Sequence, residues 1–221
     1  MNMKISEYIS NDIAALKETQ SIAEVGQLFN ELAYSHLPVV KNNILLGSIN
    51  ADDIRTIDNV AASLKDYQYL YQEFHIAATN NWIEILKIFA ASESNILPVL
   101  SENNEYIGYY ELTDVLHFFN DTPLLRNDGF FLVIEKEEKN YSFSEIVQIV
   151  ESSQAKLIGV FVSGERDNFI RITLKIASND INEVIQSFRR FSYNVLTKHK
   201  EDIFLEQLKD RSNYLQKYLN I

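Results

Sequence analysis

Apolar residues recur along the chain at two periods, and the points where one period gives way to the other mark out its elements. Ile22, Val25, Leu28, Phe29 and Leu32 fall at helical spacing behind Ser21, with Glu24 three residues on, a pairing that satisfies free N–H groups at a helix start. Asn81 and Glu84 stand in the same relation to Trp82, Ile85, Ile88 and Phe89. A short apolar run follows each helix. Leu37-Pro38-Val39-Val40, Leu46-Gly47-Ser48-Ile49 and Asp53-Ile54 are echoed by Leu97-Pro98-Val99-Leu100, Ile107-Gly108-Tyr109-Tyr110 and Asp114-Val115. This self-similarity predicts a tandem repeat, each copy reading strand, helix, strand, hairpin, strand, helix. The second copy has grown by one residue within Ser101-Glu102-Asn103-Asn104, where a hairpin turn absorbs an insertion. Ile57, Val60, Ala61 and Leu64 keep helical spacing and predict a linking helix over 56–67.

After Pro123 the pattern changes. Phe130–Ile134 reads as a strand, 135–141 as a turn, Ser144–Val150 as a helix, Ile158–Val162 as a strand and Ser163–Asn168 as a turn. The returning strand Phe169–Ala177 puts Ile170, Ile172, Leu174 and Ile176 on one face, and Arg171, Thr173 and Lys175 on a face expected to meet solvent. Asp180–Phe188 supplies a second helix and Tyr193–Leu196 a last strand. Two helices over one face of a four-stranded sheet is the ferredoxin-like βαββαβ arrangement. Phe204, Leu205, Leu208, Leu215 and Leu219 lie near one stripe of a C-terminal helix. The expected organisation is mixed, α+β with α/β character: repeat copies at 1–60 and 61–122, a βαββαβ domain at 126–200 and a helix at 201–221.

Composition narrows the function classes. The net charge of −11 is carried entirely by residues 1–125, which hold 6 basic and 17 acidic residues, while the remainder is balanced at 14 of each. No field draws the chain to nucleic acid or anionic lipid, and a polyanionic ligand would approach the first part against the field. The absence of cysteine rules out disulfides, thiolate metal sites and a cysteine nucleophile. Glu7 stands where a signal peptide has its apolar core, and no apolar run approaches the ~18 residues of a membrane span, so a cytoplasmic, membrane-free protein is expected. Six glycines form neither a dinucleotide-binding fingerprint nor a P-loop, and the four histidines never fall at metal-binding helical spacing. No catalytic constellation emerges, and the expectation is a protein that is not an enzyme.

The repeated Pro-Val-(Val/Leu), hairpin, Gly-x-x and closing Asp resemble the cystathionine-β-synthase (CBS) motif, and two copies resemble a CBS pair, or Bateman module. The resemblance implies regulation by an adenosine-type ligand, AMP, ADP, ATP or S-adenosylmethionine, with the closing Asp53 and Asp114 on the ribose hydroxyls. Binding members carry Ser or Thr three residues before that Asp; here the positions hold Asn50, whose amide donates, and Glu111, which repels a phosphate. Arg55 is the cation nearest in sequence to Asp53, with Lys41 and Lys65 as further local cations, so Asp53, Asn50, Arg55 and Asp114 form the candidate nucleotide-binding set. A magnesium ion would come with a phosphate ligand only, since no dedicated cage is present. Other readings of the same residues stay open: Asp53 as a helix cap, His36 as a surface residue or a pH-sensitive cleft contact, Tyr109 and Tyr110 as cleft fillers or stacking partners.

Residues 126–200 resemble an ACT domain, a regulatory unit that often binds amino acids at a dimer interface. Glu138–Ser142 lacks the Pro and Gly that such members place before the first helix. The order CBS, CBS, ACT-like is similar to the acetoin-utilisation protein B (AcuB-like) family. These resemblances imply a homodimer, a small-molecule ligand and a regulated protein partner; a structural interaction module with filled clefts is the alternative.

Overall fold

The computed structural model describes residues 4–197, and the helix expected over 201–221, with His199, lies outside them. The chain forms two compact units, Met1–Asp121 and Thr122–Ile221.

In the first unit the repeat is visible in the hydrogen bonding. α1 (Ile22–Glu31) and α3 (Trp82–Ser92) both open on a capping box, Ser21 with Glu24 and Asn81 with Glu84. Each runs into a buried strand, β1 (His36–Lys41) or β4 (Ile96–Leu100), paired antiparallel with β2 (Ile44–Asn50) or β5 (Tyr106–Glu111). Val39 faces Gly47 and Val99 faces Gly108, and in both hairpins the register slips by one residue immediately after that pair. The first strand of each copy lies parallel to the second. It is β3 (Ile76–Ala77) in the second copy and only a single bridge, Leu16 to Val39, in the first. Asn42 and Asn43 both take positive φ, the two-residue turn that matches strand twist, whereas the second copy closes through Ser101–Glu105.

The two copies are interleaved. Ser10, near the start of the first copy, pairs with Tyr109 of the second, and Gln72, in the opening segment of the second, pairs with Ser48 of the first. Those crossings explain two glycines: at φ +143 and +146, Gly47 and Gly108 let the entering backbone approach so closely that a Cβ would strike Tyr71 or the Ser10 carbonyl. Leu16, Val25, Phe29, Val39, Ile49 and Ile54 build one core, which also takes Ile96 and Tyr109; Ile85, Phe89, Val99, Tyr110 and Val115 build the other. Each buried aliphatic side chain contributes about 1.5–3 kcal/mol by leaving water.

The linking helix expected over 56–67 does not form. α2 (Ala51–Arg55) ends at Thr56, whose N–H and hydroxyl both donate to the Asp53 carbonyl, and helical structure resumes only as a 3₁₀ segment, Leu64–Leu70. Its counterpart α4 (Leu112–Asn120) is longer by just over one turn.

The second unit opens with a short helix, α5 (Pro123–Arg126), and then runs β6 (Phe130–Glu137), α6 (Phe143–Ser152), β7 (Lys156–Arg166), β8 (Phe169–Ala177), α7 (Ile181–Arg190) and β9 (Asn194–Val195). Its antiparallel sheet has the order β7-β8-β6-β9, with Leu132, Ile134, Ile172 and Leu174 buried beneath Ile146, Ile149, Val184 and Phe188 of the helices. Two readings from the pattern are corrected. Residues 163–166 are strand: two left-handed residues, Asp167 and Asn168, make the whole turn, and bulges absorb Ile158 and Ser163. Lys175 does not meet solvent; it is 6% exposed, with its ammonium 4.2 Å from the centre of the Phe131 ring.

Candidate ligand-binding cleft

Within the first unit, the end of α1, the start of β1, the β2–α2 junction, Gln72 and the turn after α3 enclose a cleft of about 660 Å³. That is a volume suited to a small organic ligand. Asn50 sits where strand becomes helix. Its side-chain oxygen accepts the Asp52 N–H at 2.7 Å and caps α2, so its amide nitrogen faces the other way, 3.2 Å from His36 Nε2. With Nε2 accepting, Nδ1 carries the proton toward Ser35 Oγ, 2.9 Å away. His36 is 2% exposed, packed edge-on against Phe74, and burial lowers its pKa, only partly opposed by Gln72 and the carboxylates of Asp53 and Asp52. It is therefore a buried neutral histidine and not the surface residue that is the commoner expectation.

Ser35 and Asn95 occupy equivalent positions in the two copies and bond to each other reciprocally. The Ser35 N–H and hydroxyl donate to Asn95 Oδ1 at 2.9 and 3.0 Å, the Asn95 N–H donates back to Ser35 Oγ at 3.1 Å, and Asn95 Nδ2 donates to the Ala33 carbonyl at 2.8 Å. A continuous polar chain thus runs from Asn50 through His36 and Ser35 to the second copy.

The candidate residues separate. Asn50 and Arg55 line the cleft together with Asp52, whose carboxylate receives Arg55 Nη1 at 2.6 Å. Asp53 lies in the first turn of α2, half-buried and outside the lining, and the cap it was a candidate for is Asn50. Asp114 is half-buried in the first turn of α4, also outside this cleft. At the position matching Asn50, Glu111 makes no side-chain cap and instead accepts the Tyr34 hydroxyl at 2.7 Å. Burial, and then that carboxylate, push the Tyr34 phenol well above its ordinary value. Tyr109 and Tyr110 are each 1% exposed and fill the two cores, so neither ring stacks on a ligand. His36 lines the cleft, the second of the two readings held open for it, while Ser35, Gln72 and Asn95 are polar cleft residues the motif reading missed. The signal for two of them was in the repeat, which places a polar residue three positions ahead of Pro in both copies.

Residues 5–59 match the family model described as the CBS domain. That match spans the first repeat copy. The backbone register described above makes β3 to α4 its structural duplicate. An uncharacterized protein of Methanocaldococcus jannaschii is 24% identical over 154 residues, 62% of this chain and 56% of that protein, so the chain spans about half the length of that curated relative. A CBS domain-containing protein of the same organism is 24% identical over 123 residues, 55% of this chain and 98% of that protein. Among solved structures, a CBS domain pair/ACT domain protein of Thermotoga maritima is similar with a TM-score of 0.48 and 19% identity, covering 53% of this chain and 96% of that one. Among the described residues, no group of His, Cys, Asp or Glu is arranged to hold a metal ion, and no helix is long and apolar enough to cross a membrane.

Proposed function

We propose that this protein is a cytoplasmic, non-enzymatic ligand-sensing regulator, in which the CBS pair binds an adenosine-type molecule in the cleft at the β2–α2 junction. The observation that carries the reading is the convergence of Asn50, His36, Gln72 and Asn95 on one cleft, at the place where the repeated motif closes. Occupancy of that cleft bears on the Asn50–His36–Ser35–Asn95 chain, and therefore on how the two copies hold each other; the energy available is the ligand's differential affinity for two packings. The β7-β8-β6-β9 order supports reading the second unit as a ferredoxin-like, ACT-like domain, in an AcuB-like architecture that works as a homodimer on a protein partner.

The test is thermal unfolding against AMP, ADP, ATP, NAD and S-adenosylmethionine. A ligand at about 100 times its Kd adds about 2.7 kcal/mol, so one compound should raise the midpoint selectively, and Asn50→Ala should remove that rise. No rise with any of them overturns the reading in favour of a structural interaction module. The second copy favours that alternative, since Glu111 is taken by Tyr34, and Tyr109 and Tyr110 are core residues.

A further inference from the structure

The charges around the cleft narrow what it accepts. Among its lining residues Arg55 is the single lysine or arginine, and Asp52 already holds it at 2.6 Å. Glu93, left-handed at the end of α3, adds a second carboxylate to the lining. His36 contributes no positive charge, since both ring nitrogens are committed to neutral partners. An adjoining hollow of about 590 Å³ shares Gln72, Ala91 and Ser92 with the cleft and brings in Lys87, but with it Glu73 and Glu84. The walls do offer neutral hydrogen-bonding groups, the carboxamide of Gln72 among them. A phosphate needs surplus cations or a cluster of N–H donors, and here it would meet surplus carboxylates.

We propose that the cleft selects against phosphate: its ligand is a neutral or cationic polar molecule of nucleoside size, and Asp52 and Glu93 are the specificity-determining residues. This rests on the cleft being the ligand site, as proposed above, and adds the charge class of what enters it. The test is isothermal titration of the full chain with adenosine, AMP, ATP and S-adenosylmethionine, free of divalent cations, at low and high salt. Affinity should fall with each added negative charge, ATP binding at least about tenfold more weakly than adenosine at low salt, with the gap closing at high salt. Glu93→Gln and Asp52→Asn, both at exposed positions where folding is not at risk, should each narrow the adenosine-to-ATP ratio several-fold. ATP binding as tightly as adenosine, or a ratio indifferent to both substitutions, overturns the charge selection while leaving the cleft as the ligand site. Failure of all four compounds to bind overturns the ligand site itself, and the selection with it.

Discussion

An imidazole with both nitrogens bonded inside a fold keeps those bonds only while neutral, and His36 is such a group. Its pKa lies below the ordinary 6.5, so as pH falls past that value the unfolded chain takes up a proton that the folded chain refuses. Stability from this residue is therefore constant above pH 6.5, declines below it, and levels off only beneath the lowered folded value. Melting temperature measured against pH should show a steeper acid-side fall in the wild type than in His36→Gln; parallel curves would mean the histidine is not held neutral. Asn50 divides its two roles between two atoms. Asn50→Ser keeps an oxygen for the α2 cap and loses the amide facing His36, whereas Asn50→Ala loses both. The alanine variant should be less stable than the serine variant by about 1 kcal/mol, read as a lower urea midpoint at unchanged slope.

Among the elements, two glycines of opposite kind make a matched pair. Gly108 holds φ +146 against the backbone that enters from Ser10, so Gly108→Ala should cost about 1–3 kcal/mol. Gly26 lies inside α1 with its would-be Cβ at an ordinary 3.8 Å from Ile54, so Gly26→Ala should stabilise by about 0.5–1 kcal/mol. Chemical denaturation of both variants checks the pair. Both capping boxes, both Gly-bearing hairpins and the alternation of β8 were legible because each is local: a period, a cap or a turn is written within a few adjacent residues. What long-range packing decides was hidden. Helical spacing over 56–67 was overridden once Thr56 turned back onto Asp53, and Lys175, on the nominally polar side of β8, was covered by Phe131 from β6. The candidate site was legible in the same uneven way. Asn50 and Arg55 follow from the motif and its neighbourhood, and His36 was readable as a cleft contact, but its burial depends on elements far apart in sequence, and Asp53 lies beside the cleft lining and not in it.

For the whole molecule, the cores of the two units share no residues. In the second unit, Glu145 ties α6 to two partners, accepting from Lys136 Nζ at 2.9 Å and from the Tyr193 hydroxyl at 2.7 Å; these bonds, the lysine's foremost, hold its carboxyl below the usual carboxylate range. Tyr193→Phe leaves the ring in place and removes one charge-assisted bond, and should lower the stability of that unit by about 1.5 kcal/mol. Ligand titration by the first unit should be unchanged in this variant; a shifted affinity would show that the two units are energetically coupled. The Ser35–Asn95 clasp bears on the history of the chain. A repeat that arose by copying would first have met its own duplicate across that contact, serine to serine or asparagine to asparagine. The present pairing uses one of each, so the halves have specialised into complementary parts, and a chimera carrying the same half twice would break the lock that joins them.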